Sequence, residues 1–295
     1  MAPEPVGGAG VRVYVPGVSG RRYLARSRHL LPVGPGSGGR LRRGVVALHG
    51  AVVLALFDLN DAVVSRWGGD PPAVWESGSL PWVRSLEEAR AEIVREYRRF
   101  RAEGGLPPHV ARIAGLEPGT TEATDAAPVD QGVWRVLILV ANGRWVPETA
   151  ERFPATVAAL GACPQMTTVG FSVLEGHSHI ADHADPNRGA LRYQLPLVVP
   201  GDPGDCRIRV VDRVIEWREG ESVLFDVNVM HEVWNDSDED RVLLMVETAM
   251  PLRFPVSLLN RFVQHQYRYH PSHRGMAERV AALAREGAPA GVAGG

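Results

Sequence analysis

Residues 191–211 read LRYQLPLVVPGDPGDCRIRVV, two short apolar runs separated by a cluster of Pro, Gly and Asp. These three residue types favour tight turns, because Pro fixes the backbone, Gly frees it and Asp bonds to the nearby main chain. The flanking runs are rich in Val, Ile and Leu and have the length of strands. The pattern predicts β-strands over residues 191–199 and 206–211, joined by a turn.

The same alternation of apolar runs and turn residues continues on both sides of this pair. Residues 218–221 (REGE) carry another turn signal. Further strands are predicted over residues 134–140, 168–174, 222–226 and 242–248. Short strands at this spacing predict a mainly β protein, a closed barrel or sandwich with helices packed outside it.

The residues before these strands favour helices. Residues 45–66 are largely apolar and predict one helix, whose apolar run contains His49 and is shorter than a bilayer-spanning segment. A second helix is predicted to begin at Ser85, because Ser85 and Glu88 have the spacing of a capping box. Gly104 is predicted to end it.

One catalytic domain is predicted over residues 45–285. Its parts are a helical segment (45–130), a β core (131–255) and a C-terminal helical extension (256–285). Residues 1–44 form a basic lead-in rich in Gly, Pro and Arg, and residues 286–295 form a small-residue tail. Such compositions bury little apolar surface, so the lead-in is predicted to be partly disordered and the tail disordered.

Charge and cysteine content limit the partners. The 32 basic and 34 acidic residues nearly balance, which predicts no nucleic-acid partner and no attraction of the whole molecule to an anionic membrane. Cys163 and Cys206 form no C-x-x-C pair, and the N-terminus lacks a secretory pattern. We therefore expect a cytoplasmic protein without an integral membrane span that binds a small-molecule or peptide substrate. The sequence leaves the oligomeric state open.

Two histidines and an aspartate predict a metal site. His183 and Asp185 are two residues apart, a spacing that places side chains on one face of a strand, and His231 follows a later strand. Two imidazoles and one carboxylate can bind Fe(II) and leave positions for a 2-oxo acid and O₂. Arg241 on the next strand can pair with the far carboxylate of 2-oxoglutarate. An H-x-D pair alone is common by chance, so the prediction depends on the order of all these features.

Longer motifs resemble the aspartyl/asparaginyl β-hydroxylase family over about residues 76–253. They are residues 145–154 (WVPETAERFP), 170–179 (GFSVLEGHSH), 183–186 (HADP), 191–192 (LR), 217–220 (WREG), 225–226 (FD), 231–235 (HEVWN) and Arg241. The resemblance implies a double-stranded β-helix (jelly-roll) core with flanking α-helices that binds Fe(II) and 2-oxoglutarate. It implies that Ser172, Arg192, Gln194 and Arg241 hold the co-substrate.

Two departures from the family pattern affect the chemistry and the substrate. Asp185 stands where the animal members carry glycine, which favours hydroxylation over halogenation. Ala190 replaces the first Arg of the animal R-x-R-x-H string, so the resemblance does not imply an aspartyl substrate. Arg144 and Arg188 are candidate replacements, and His179 is a candidate substrate contact on a predicted loop at the barrel mouth.

The expected reaction is hydroxylation of an unactivated C–H bond in an amino acid, a peptidyl residue or a related small metabolite. The same cofactors can also give desaturation, cyclisation or halogenation, and the sequence does not separate these outcomes. A non-catalytic jelly-roll that binds metal or senses a ligand is the alternative of another class. Trp217 and Trp234 are predicted to be packing residues, and Asp226 to stabilise a turn or orient a ligand.

Overall fold

The computed structural model describes residues 40–120, 128–185, 188–266 and 271–286. Nearly all of the predicted lead-in, and the tail after Glu286, lie outside the described residues. The described helices are α1 (Arg40–Trp67), α2 (Val83–Glu88), α3 (Arg90–Ala102), α4 (Val110–Ala114), α5 (Pro147–Ala150), α6 (Pro154–Leu160), α7 (Val256–Gln266) and α8 (Pro271–Glu286). Among these helices, none combines the length and hydrophobicity needed to cross a bilayer.

The described strands form two antiparallel sheets. They are β1 (Val74–Trp75), β2 (Val129–Gln131), β3 (Trp134–Ala141), β4 (Arg144–Trp145), β5 (Met166–Leu174), β6 (Ser178–His183), β7 (Ala190–Val198), β8 (Cys206–Val210), β9 (Arg213–Glu216), β10 (Val223–Asp226), β11 (His231–Asn235) and β12 (Arg241–Ala249). The larger sheet has the order β1-β10-β7-β12-β5-β3-β4, and the smaller has the order β2-β6-β11-β8-β9.

The chain crosses repeatedly between the two sheets. Strands β5, β7, β10 and β12 lie in the larger sheet, and β6, β8, β9 and β11 lie in the smaller one. Eight strands that wind in this way enclose a space between two facing sheets. The predicted double-stranded β-helix with flanking helices is confirmed.

Six of these strands were predicted from apolar runs, and their bounds agree within two residues. The two that carry the histidines, β6 and β11, were missed because SHIADH and HEVWN are too polar to read as apolar runs. The predicted loop at His179 is therefore wrong, since that residue lies within β6.

The outer face of the larger sheet is covered by α2, α3 and α6. Side chains from these helices and from alternate strand positions form one apolar cluster that includes Leu86, Tyr97, Phe153, Phe171 and Tyr193. The Phe153 and Phe171 ring centroids are 4.7 Å apart. Because the outward positions are used for this packing, the inward positions of the same strands are available to line a cavity.

The start of the second predicted helix is wrong. Helix α2 begins at Val83, and Ser85 lies inside it. The side chain at its N-cap position, Trp82, makes no capping bond. Val83 and Leu86 are buried, so packing against the sheet determines where the helix begins. The predicted end is confirmed, since α3 stops at Ala102 and Gly104 has a positive φ of 85°.

A β-bulge in β6 determines which way His183 points. His183 pairs with His231 and Ile180 pairs with Val233, so β6 has one residue more than β11 between these pairs. Strict alternation from Ile180 would place Asp182 inward and His183 outward. The extra residue reverses this arrangement: Asp182 is exposed, and His183 lines the interior.

Asn235 joins three segments at the end of β11. Its Nδ2 donates to the carbonyl oxygens of Leu174, Glu175 and Glu239 at 2.8–3.0 Å, and its Oδ1 accepts from Ser237 Oγ at 2.6 Å. The side chain is fully buried. It therefore fixes the turn between β5 and β6 next to the start of β12.

We expect Asn235→Ala to lower the free energy of unfolding by about 2–4 kcal/mol, because one buried and two part-buried carbonyls lose a donor. Asp238→Ala is the matched control, since Asp238 lies in the same turn and its side chain is exposed. Urea unfolding of both variants measures the difference. Equal stability of the two variants would contradict this role for Asn235.

Candidate active site

A small cavity of about 20 Å³ lies between the two sheets. Its lining is Trp134, Ser172, Ile180, His183, Arg192, Gln194, His231, Val233, Arg241 and Met245. Six of the predicted site residues are in this set, and they come from β5, β6, β7, β11 and β12. The inward positions of both sheets therefore meet at one place.

The two histidines present the same nitrogen to the cavity. His183 Nδ1 lies 2.7 Å from the Ala181 carbonyl oxygen, and His231 Nδ1 lies 2.9 Å from the Val229 carbonyl oxygen. A carbonyl oxygen only accepts, so each Nδ1 carries a proton, and Nε2 is the ring nitrogen left to hold a lone pair. The ring centroids are 4.1 Å apart.

His231 is held in its neutral form. Burial lowers its pKa to about 3, and the neighbouring His183 adds to the effect. Its Nε2 is buried and has no hydrogen-bond partner among the described residues. A buried imidazole nitrogen without a partner is suited to binding a metal ion.

Asp185 lies beside the two histidines, and its carboxylate is paired with Arg192. Arg192 Nη2 donates to Asp185 Oδ2 at 2.5 Å, and the same guanidinium pairs with Glu247. Burial opposes ionisation of the Asp185 carboxyl, but Arg192 and the two histidines outweigh it, so its pKa lies below the ordinary value. Burial likewise opposes the charge on Arg192, and the two carboxylates outweigh it and raise its pKa.

This pairing affects two predictions. In the part of the chain that the structure describes, no three His, Cys, Asp or Glu side chains converge as a metal-holding group. The structure therefore brings His183 and His231 together and turns Asp185 towards Arg192. The prediction that His183 and Asp185 share a strand face is wrong, because β6 ends at His183.

The turn between β10 and β11 positions both Asp185 and His231. Asp226 Oδ1 accepts from the Asn228 amide at 2.9 Å, which closes the turn. Asn228 Nδ2 then donates to the Asp185 carbonyl oxygen at 2.8 Å, and the Asp185 amide donates to the Val227 carbonyl oxygen at 2.8 Å. The predicted turn role of Asp226 is confirmed.

Arg241 is a buried cation that pairs with no carboxylate of the described residues. Its side chain is fully buried, and Nε and Nη2 have no hydrogen-bond partner among the described residues. Burial lowers its pKa to about 10, which leaves it charged at neutral pH. Its guanidinium carbon lies 4.6 Å from the Trp217 ring centroid, a cation–π contact that partly compensates for lost hydration. Trp217 is therefore buried, as predicted, and also supports the charge.

Further polar groups face the same cavity. Trp134 Nε1 donates to Ser172 Oγ at 3.0 Å, which leaves the Ser172 hydroxyl hydrogen free to donate elsewhere. The Oε1 atom of Gln194 is buried and has no hydrogen-bond partner in the described part of the chain. Arg241 and the Ser172 hydroxyl therefore offer donors to an anion, whereas Gln194 Oε1 offers an acceptor.

The predicted substrate residues lie away from the cavity lining. His179 bonds through both ring nitrogens, to Asp130 at 2.7 Å and Glu232 at 2.9 Å, and stacks on Trp234. Arg144 lies in β4, the edge strand of the larger sheet. Arg188 pairs with Asp61 of α1. The structure assigns none of the three a contact in the cavity.

Sequence reasoning missed Glu247 and Asn228. Glu247 lies on β12 at an even spacing from Arg241, so strand alternation could have placed it inward. The role of Asn228 depends on a contact with the main chain of a distant residue, and no sequence pattern carries that signal.

The comparisons with known proteins agree with this site. A profile of the family described as aspartyl/asparaginyl beta-hydroxylase matches residues 88–251, more than half of the chain. The ornithine lipid ester-linked acyl 2-hydroxylase of Rhizobium tropici is 33% identical over 193 residues, which cover 65% of this chain and 65% of that protein. Human aspartyl/asparaginyl beta-hydroxylase is 26% identical over 202 residues, which cover 67% of this chain and 24% of that protein. The chain thus spans just under two thirds of the first relative and about a quarter of the second.

Two solved structures show weaker likeness. A Pseudomonas putida prolyl-4-hydroxylase has a TM-score of 0.34 and 15% identity, covering 68% of this chain and 98% of that one. An oxidoreductase of the 2OG-Fe(II) oxygenase family from Burkholderia pseudomallei has a TM-score of 0.32 and 14% identity, covering 53% and 90%. These scores are too low to support an argument, so the fold assignment depends on the sheet topology. By the family profile that matches more than half of its residues, the chain belongs to the aspartyl/asparaginyl β-hydroxylase family.

Proposed function

We propose that the chain is an Fe(II)- and 2-oxoglutarate-dependent hydroxylase. The observation that carries the proposal is the cavity itself, which Arg241, His183 and His231 line. Nε and Nη2 of Arg241 and Nε2 of His231 are buried there and have no hydrogen-bond partner among the described residues. Arg241 provides a cation in one part of the cavity, and the two imidazoles provide metal-binding nitrogens in another. This arrangement fits a ligand that carries a carboxylate at one end and chelates a metal ion at the other.

Arg241 fits the far carboxylate of 2-oxoglutarate. A carboxylate can accept from the two guanidinium atoms that lack partners, and the charge-assisted bonds would offset the burial of Arg241. The Ser172 hydroxyl is a further donor beside it. Gln194 is a neutral group that can bond to the other end of the co-substrate.

His183 and His231 would hold the iron through Nε2, with Asp185 as the third ligand. The low pKa of Asp185 keeps its carboxylate ionised, as a ligand must be. In this structure Arg192 holds the same carboxylate, so Arg192 has a positioning role for Asp185 besides its predicted role towards 2-oxoglutarate. Glu247 shares the charge of Arg192.

When bound, iron and 2-oxoglutarate supply the oxidation of the C–H bond, coupled to decarboxylation of the 2-oxo acid. The chain supplies binding, orientation and a cavity between the two sheets. The histidines bind through lone pairs, so neither serves as a general acid or base. A full carboxylate ligand favours hydroxylation over halogenation, and substrate position decides between hydroxylation and desaturation or cyclisation.

The substrate proposal combines one structural fact with the names of two relatives. Ala190, which replaces the first Arg of the animal string, is fully buried, so an Arg contact to a substrate carboxylate is absent there. The Rhizobium relative is named for an acyl chain, and it is more similar to this chain than the human relative. We therefore propose an acyl-bearing substrate first and an amino acid or peptidyl residue second, to be distinguished by mass spectrometry for the gain of one oxygen.

The metal assignment is tested by anaerobic addition of Fe(II) and 2-oxoglutarate. The wild type should show the weak visible charge-transfer band of a chelated complex, and the double variant His183→Ala, His231→Ala should lose it. The double variant His177→Ala, His179→Ala is the matched control and should keep the band, since neither residue lines the cavity. If the band persists in His183→Ala, His231→Ala, or is absent from the folded wild type, the metal assignment is wrong. The alternative of a non-catalytic barrel would then stand.

The role of Asp185 is tested against Glu247, because both carboxylates neutralise Arg192. If Asp185 is a metal ligand, Asp185→Asn should weaken Mn(II) binding by more than about 100-fold, whereas Glu247→Gln should weaken it by about 10–100-fold at most. Calorimetric titration measures both. Equal losses would mean that Asp185 acts only through Arg192.

Arg241→Met should separate stability from binding. Removing a buried, unpartnered charge should raise the free energy of unfolding by about 1–3 kcal/mol. The same change should abolish 2-oxoglutarate binding in the presence of Mn(II), measured by titration. Arg209→Met is the control, since Arg209 pairs with Glu232 outside the cavity. Retained 2-oxoglutarate affinity in the Arg241 variant would contradict the proposed site.

A further inference from the structure

Helices α1 and α7 expose an unusual number of large apolar side chains. Of the nine exposed large apolar side chains among the described residues, six lie on these helices or directly before α7. They are Val52, Leu59, Trp67, Phe254, Leu258 and Phe262, and each is between 49% and 79% exposed. Single exposed apolar residues need no explanation, but their concentration on one part of the surface does.

The two helices pack antiparallel, and on each of them the exposed apolar side chains recur at helical spacing and so form one stripe. Asn60 Nδ2 donates to Asn260 Oδ1 at 3.1 Å, and Gly69 lies beside the Arg253 side chain. This register brings Leu59 to the level of Phe262 along the pair, and Trp67 to the level of Phe254. We call the exposed side of α1 and α7 the α1–α7 face.

The charges around the α1–α7 face are mainly basic. Arg66, Arg253 and Arg261 are exposed, residues 252–266 contain no acidic side chain, and the one exposed acid next to α1 in the described part of the chain is Asp70. The two acids of α1 whose side chains are described, Asp58 and Asp61, are half-buried, and Asp61 pairs with Arg188. Although the whole chain has a net charge of −2, this surface therefore presents cations beside exposed apolar groups.

The α1–α7 face adjoins the candidate active site. Asn60 and Asn260 donate to the carbonyl oxygens of Arg188 and Gly189, at 3.2 Å and 2.8 Å. These two residues follow Asp185 closely in the chain and lead directly into β7. The helices that carry the face thus hold the segment that leaves the metal site.

We propose that the α1–α7 face docks on the surface of an anionic lipid bilayer. Helices that lie in a bilayer interface combine aromatic and aliphatic side chains with Arg or Lys at the boundary, and the three arginines complement anionic headgroups. The absence of acidic side chains from residues 252–266 favours such a surface over a basic protein partner. Binding does not depend on the proposed oxygenase activity. If the chain both docks on the bilayer and is an oxygenase, a substrate with an acyl chain lies in the bilayer beside the cavity.

Vesicle flotation of the full chain tests this proposal without metal or 2-oxoglutarate. The wild type should float with vesicles of phosphatidylglycerol and phosphatidylcholine, and should bind about tenfold more weakly to phosphatidylcholine alone or in high salt. The double variant Leu258→Glu, Phe262→Glu should lose binding by about tenfold or more. The matched control Leu106→Glu, Val214→Glu changes two exposed apolar residues elsewhere and should bind like the wild type.

A second double variant tests the charged part of the face without changing any apolar side chain. Arg253→Gln, Arg261→Gln should remove the preference for anionic vesicles, while thermal unfolding shows that both variants are folded. Failure of the wild type to float, or equal flotation of the Leu258, Phe262 variant, overturns the proposal. A different result would also overturn the proposal: light scattering shows that the wild type is a dimer, Leu258→Glu, Phe262→Glu dissociates it, and the wild type does not bind vesicles. The α1–α7 face would then be the contact between two copies of this chain. None of these results alters the metal-binding test, so the two proposals can fail separately.

Discussion

The buried positive charge of Arg241 is the constraint on which the arrangement of the barrel depends. A guanidinium enclosed between two sheets without a carboxylate loses hydration that the chain only partly replaces, through the ring of Trp217. Such a group is tolerated when the surrounding strands are already well packed, and the apolar cluster under α2, α3 and α6 provides that packing. Apolar packing on the outer face of the larger sheet thus offsets the cost of burying Arg241 on its inner face. In the proposed function, Nε and Nη2 of Arg241, which have no partner among the described residues, are the atoms that would bind the carboxylate of the co-substrate.

Arg192, the second cation of the cavity, differs from Arg241 because carboxylates of the chain pair with it. Asp185 and Glu247 both pair with it, so its charge is neutralised within the chain. A dicarboxylate that enters the cavity therefore meets one free cation at Arg241 and one already neutralised. Under the proposed function, this difference would give 2-oxoglutarate a preferred direction, with one carboxylate at Arg241 and the other end towards the imidazoles. Two arginines of the same sheet have different roles because only one of them has acidic neighbours.

Much of the fold could be predicted from the sequence because six core strands are apolar runs bounded by turn residues. The residues of the candidate site were predicted from motif order, and six of them line one cavity. The failures have physical causes. Polar strands such as β6 and β11 carry no apolar signal, and the bulge in β6 breaks the alternation that a sequence argument assumes. The capping box at Ser85 was outweighed by burial of Val83 and Leu86. The Arg192 pairing needs two carboxylates that are distant in sequence from each other, so only the folded chain shows it.

The bulge in β6 also has an evolutionary consequence. Regular pairing of the same residues with β11, without the bulge, would leave the hydrogen-bonded ladder complete and bring Asp182 opposite His231. The barrel would still fold, but Asp182 would point into the cavity in place of His183. A cavity with two imidazoles and a cavity with one are therefore separated here by one irregularity in strand pairing, without any change in the surrounding core. Comparison of such proteins by aligned residue identity alone would overlook this difference, because the histidine is still present in the sequence.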